Sequence, residues 1–246
     1  MLGLGNSLTT SGVIETFLPT QVNDLQIWLQ NGVGVTAAKW DDSSGNSNDI
    51  TQGTSGTQAT VTDGGLDFAS GNSDHYDLDS DISIASEGSL NLFVVMRVDG
   101  GTSAIFGNSG NEDFIEIQTH KQLRFTFDDG TAEKIEYGTN ELIDATTPFK
   151  ALYHFQRTAG ANSGSGTTAK INFFKNGTEV SGSPTSGNDG YDDGAITIDV
   201  VGTRTGSDRF FDGLIFELLI YKNNSSDMAA DDITSVTNYL TSKHGL

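Results

Sequence analysis

The 246-residue chain has no cysteine, 3 prolines, and 13 lysines and arginines against 33 acidic residues. Each shortage excludes something. Without thiols there is no disulfide framework and no Cys-ligated zinc or iron–sulfur centre. A net charge of −20 leaves no basic surface for nucleic acid, and an anionic membrane would repel such a chain. No apolar run approaches the ~18 residues of a membrane-spanning helix. Met1 to Gly12 hold no basic residue and no continuous apolar stretch, so a secretory signal is not expected.

Hydrophobic residues make up 35% of the chain, below the usual ~45–50%. Glycine, serine, threonine, asparagine and aspartate take their place. Of the acids, 24 are Asp and 9 are Glu. Asp bonds its own backbone in turns and disfavours helix interiors, so the bias favours many short strands joined by turns. A single domain of this size buries roughly 70% of its unfolded surface and needs no staples. The acidic charge keeps a protein soluble in salt and points to a saline setting.

The pattern along the chain agrees. Leu25, Ile27 and Leu29 alternate with Gln26, Trp28 and Gln30, a strand signature. Trp40 opens the polar loop Asp41–Asp49. Leu90 to Met96 is nearly continuous apolar, which reads as a central strand buried on both faces. Asn176-Gly177 is a hairpin turn, because both positions favour positive φ. Leu214 to Tyr221 is a last long strand. Then Met228, Ile233, Val236, Tyr239 and Leu240 recur at helical spacing, with Ser226 or Asp227 as the expected cap and Gly245 as the close. Strands with Gly-rich turns and one late helix predict an all-β antiparallel sandwich or barrel.

Several segments carry a family resemblance. Leu25–Leu29 followed by Trp40–Asp49 resembles the opening of laminin-G-like, concanavalin A-like jelly-roll domains. So do Leu66-Asp67-Phe68 and Asp74-His75-Tyr76-Asp77-Leu78. Phe174 to Val180 is similar to that family's Asn-Gly hairpin, Phe211 to Tyr221 to its penultimate strand, and Val236 to Leu246 to the terminal helix of phage and marine bacterial members. The match spans about residues 21–246, with residues 1–20 as an N-terminal arm. It implies a two-sheet antiparallel jelly roll with one short C-terminal helix, binding glycans or proteins at its loops or on a concave face. The arm from Leu2 to Gly12 is similar to openings of marine tailed-phage structural proteins. That likeness implies a non-enzymatic virion surface protein, a capsid decoration or a head- or tail-fibre component. Its partners would be other virion proteins, and it would form an oligomer, a trimer above all. The alternative is a lectin-like module for cell-surface polysaccharide, with or without calcium.

Relatives of this fold include endoglucanases, whose signature is Glu, an apolar residue, Asp, two residues, Glu. Glu112-Asp113-Phe114-Ile115-Glu116 places its Asp one position early, on the wrong face, which disfavours a paired-carboxylate mechanism. No Gly-x-Ser-x-Gly elbow or Gly-rich phosphate loop is present. Calcium takes six to eight oxygens, and two acidic stretches offer them: Asp77, Asp79, Asp81, and Asn188, Asp189, Asp192, Asp193. The same carboxylates equally suit turn capping and solubility. Trp40 and Tyr191 flank acidic loops, as sugar-stacking rings do beside carboxylates and amides. The ligand-binding candidates are therefore Trp40, Asp189, Tyr191, Asp192 and Asp193, with burial under its loop as the alternative for Trp40.

Overall fold

The computed structural model describes residues 17–110, 113–127, 132–139, 141–144, 146–160, 171–186, 192 and 194–246. The chain opens with β1 (Leu25–Leu29), β2 (Lys39–Trp40), β3 (Ile50–Thr51), β4 (Thr60–Thr62), β5 (Gly65–Phe68) and β6 (Tyr76–Ile84). Its middle holds β7 (Ser89–Val98), β8 (Ser103–Gly107), β9 (Phe114–Thr119), β10 (Gln122–Thr126), β11 (Glu133–Glu136) and β12 (Lys150–Arg157). It ends with β13 (Ile171–Lys175), β14 (Thr178–Glu179), β15 (Ser183–Pro184), β16 (Ile196–Val201), β17 (Gly213–Asn223) and helix α1 (Ala230–His244).

The strands form two antiparallel sheets. The first runs β14-β13-β12-β7-β17-β5-β4, with β1 also on β17; the second runs β15-β11-β10-β9-β8-β16-β6-β3-β2. This is the two-sheet sandwich with one terminal helix that the sequence predicts. Of the expected arm, residues 1–16 lie outside the described residues; Phe17 packs beneath α1, and Pro19–Gln21 forms a 3-10 turn.

β7 explains the continuous apolar run. Leu90, Leu92, Val94 and Met96 enter the core between the sheets, while Phe93 and Val95 face the other way, into a smaller cluster under α1. The Asn176-Gly177 turn joins β13 to β14 with both residues at positive φ, 50° and 80°.

Helix α1 covers part of the outer face of the first sheet. Val236 and Leu240 are its buried stripe, meeting Trp28, Phe93 and Leu219. Burying each such side chain contributes about 1.5–3 kcal/mol. A buried carboxylate fixes the far end. Glu217 of β17 accepts from Trp28 Nε1 (2.8 Å), His244 Nε2 (2.8 Å) and Tyr239 Oη (3.3 Å), and pairs with Lys243 Nζ (2.8 Å). Gly245 closes the helix at φ 65°. The start differs from expectation. Neither Ser226 nor Asp227 caps the helix, which begins later, after Ala229. Both are engaged elsewhere: the Ser226 carbonyl accepts from Ser89 Oγ (2.8 Å), and the Asp227 carboxylate from the Ala159 N–H (2.5 Å).

Candidate functional site

Several residues singled out from the sequence serve the scaffold. Trp40 is 1% exposed, and its Nε1–H donates to the Gln30 carbonyl (3.1 Å). The ring is core and is closed to a ligand. This corrects the sugar-stacking expectation: β2 turns the ring inward beneath the Asp41–Asp49 loop. Asp192 is also buried. One carboxylate oxygen accepts from the Phe127 N–H (2.8 Å) and the other from the Gly194 N–H (3.1 Å), so it ties its own loop to the end of β10. Fully buried Arg157 braces the same region through the carbonyls of Gly88 (2.8 Å), Gly194 (2.5 Å) and Ala85 (3.2 Å). Asn188, Asp189, Tyr191 and Asp193 lie outside the described residues.

Asp77, Asp79 and Asp81 are exposed along β6. Among the described residues no three His, Asp or Glu side chains converge to hold a metal ion. The glucanase-like stretch is sealed too. Glu116 is fully buried and pairs with Arg124 (3.2 Å), while Arg124 and Arg204 flank the Phe114 ring at 4.9 and 5.2 Å. Asp113 accepts from the Thr197 N–H (2.8 Å). A glycosidase carboxylate must touch substrate, and Glu116 touches an arginine.

The open site is on the opposite sheet. Phe93, His154 and Phe174 face one another across β7, β12 and β13, because the register aligns His154 with both. Phe93 and His154 stack at 4.0 Å and 4° between planes, and His154 and Phe174 at 5.0 Å and 21°. Burial drives the His154 imidazole down to about 3, so the ring is neutral, and its Nε2–H donates to Asn91 Oδ1 (3.0 Å). Phe174, the last ring of the stack, is half-buried.

α1 crosses this sheet without covering the β12–β13 edge. The gap is a cavity of about 650 Å³, floored by His154, Gln156 and Phe174. The hairpin contributes Asn176, and the helix contributes Thr237 and Asn238. Asn176 is held by its own fold: its Oδ1 accepts from the Leu152 N–H (2.8 Å). The volume lies within the ~300–1,000 Å³ typical of ligand pockets. An aromatic face beside amides and hydroxyls can stack on C–H groups while exchanging hydrogen bonds with a polyol.

These residues escaped the sequence reading. His154 and Phe174 each stand beside a core aromatic in an alternating strand, and that alternation alone places them on the outer face. Only the β12–β13 register brings them together.

Residues 70–228 match a family model described as the concanavalin A-like lectin/glucanases superfamily. No curated protein matches the sequence. Among solved structures, the chain is similar to Trypanosoma rangeli sialidase, with a TM-score of 0.53, 14% identity, and coverage of 89% of this chain and 33% of that one. It is also similar to the binding domain of botulinum neurotoxin serotype D/C, with a TM-score of 0.53, 14% identity, and coverage of 91% of this chain and 53% of that one. The chain thus spans about a third and about half of those proteins' lengths. At such identity the likeness is one of fold.

Proposed function

The chain belongs to the concanavalin A-like lectin/glucanases superfamily, and on that premise we propose that it is a non-catalytic carbohydrate-binding module whose site is the groove between α1 and the β12–β13 edge. The observation that carries this reading is the groove itself: an open cavity of about 650 Å³ where the end of an aromatic stack meets neutral amide and hydroxyl side chains. Its preformed, bonded walls keep down the ordering cost of binding. Sealed Glu116 supports a non-catalytic role. The likeness to a toxin binding domain and to part of a sialidase supports a recognition module within a larger assembly. On a virion surface, as the resemblance of the arm implies, the groove would hold cell-surface glycan; residues 1–16 lie outside the described residues.

The test is a glycan array probed with labelled protein in calcium and again in EDTA. The groove reading expects saturable binding that survives EDTA, since the groove presents no converging carboxylates. Phe174→Ala should weaken binding about tenfold, the scale of one aromatic contact of ~0.5–1.5 kcal/mol, while Thr237→Trp should fill the groove and abolish it. Binding lost in EDTA would move the site to the acidic loops. No binding in either buffer, or binding indifferent to both substitutions in folded protein, would overturn the proposal.

A further inference from the structure

Resting on the carbohydrate-binding reading, we infer that the groove continues past Met228 into a second chamber, and that the two chambers together hold an uncharged saccharide chain. The second cavity, of about 190 Å³, is lined by Ser89, Asn91 and Tyr221 and by the 227–229 segment. Asp227 and Met228 border both cavities. The floors are joined as well, because His154 of the larger chamber donates to Asn91 of the smaller. The backbone of the dividing segment is pinned through the Ser226 carbonyl, and Asp227 is pinned through its carboxylate. The Met228 side chain, unbranched and half-buried, is the adaptable part of the divider. Because Met228 lines both chambers, a sugar chain passing from one to the other crosses it.

Charge selects the ligand class. Among the described residues, Asp227 is the one formal charge lining the larger chamber. The smaller adds Asp24, Asp232 and Lys222, and the Lys222 ammonium donates to the Ser83 carbonyl (2.5 Å). Among the described residues, a sialic acid or uronate carboxylate would face three carboxylates against one lysine across the two chambers, in a protein of net charge −20. Such like-charge contacts in a partly desolvated groove are repulsive. The hydroxyls of a neutral sugar meet threonine, asparagine and glutamine without that penalty.

The experiment uses the full chain against unbranched neutral glycans of two to six units, beside sialylated and uronic-acid glycans of the same lengths. Affinity for the neutral series should rise at least tenfold between two and five units, with the acidic series at least tenfold weaker. Met228→Trp should abolish the length dependence, lowering the five-unit glycan at least tenfold, to two-unit affinity. Should that variant melt early, the ¹³C-methyl signal of Met228 in the unsubstituted protein reports instead and should shift with the five-unit glycan. Neutral binding without length dependence, an unmoved Met228 signal, or acidic glycans bound as tightly as neutral ones would overturn this inference alone. No glycan bound at any length would overturn the carbohydrate reading with it.

Discussion

Glu217 and His244 meet at 2.8 Å beneath the last turn of α1. Trp28, Tyr239 and Lys243 converge on the same fully buried carboxylate, so one side chain gathers donors from β1 and from the helix end. The contact sets how α1 lies, and α1 forms one wall of the groove. Burial pushes the Glu217 carboxyl upward, but hydrogen bonds from His244, Lys243 and Trp28 outweigh it and hold it below its ordinary value.

Glu217→Gln should therefore cost about 3 kcal/mol, because an amide offers N–H groups to partners that are themselves donors. The sign of the pH effect follows. A carboxyl depressed in the folded state contributes stability that is full above its unfolded value of ~4.3 and is lost as pH falls through the lower folded value. Urea unfolding at pH 7 and at pH 3 should show a gap between wild type and variant that is large at pH 7 and smaller at pH 3. An unchanged gap would show that the carboxylate charge is irrelevant to docking.

His154 titrates with the opposite charge chemistry. Burial lowers it to about 3, below its unfolded value of ~6.5, so the unfolded chain takes up the proton first. Its stabilisation is full above pH ~6.5 and declines steadily as pH falls toward the folded value. His154→Gln should remove that slope. The wild-type-minus-variant stability, measured between pH 7 and pH 4, should shrink steadily on acidification; a flat difference would place a charged imidazole in the stack.

Local signals in the sequence were enough for long strands such as β1, β7 and β17 and for the body of the helix. β7 is a continuous apolar run because the sandwich core covers one face and α1 the other, and a run of that kind is visible without a partner. Asn176-Gly177 and the Met228–Leu240 stripe are equally local. The site was not legible. His154 and Phe174 are far apart in the chain and become neighbours through register alone. For Trp40 the structure bears out burial under its loop over ligand contact, and Asp192 is engaged by its own loop, for a related reason: which way a ring turns, and whether a carboxylate already binds its own loop's N–H groups, depend on tertiary packing.

The placement of Trp40 gives a direct separation of stability from recognition. Trp40→Phe removes the Nε1–H bond to Gln30 and leaves a small void, and should cost about 2–3 kcal/mol. Glycan affinity of the folded variant should equal that of the wild type. A selective loss of affinity at unchanged melting temperature would return Trp40 to the binding site.

Asp192 makes the complementary case beside β10, in the same sheet as Trp40. Its carboxylate receives the Phe127 and Gly194 N–H groups, and Arg157 reaches the Gly194 carbonyl of the same turn. Asp192→Ala strands two backbone donors, one of them in a buried bond, and should cost about 2–3 kcal/mol. Asp192→Asn retains one acceptor oxygen and should lose roughly half as much. Because the residue holds a loop and lines neither chamber of the groove, both variants should bind glycan as wild type does below their melting temperatures. Calorimetric melting alongside the glycan array separates the outcomes. Near-native stability with abolished binding would make Asp192 a ligand contact after all.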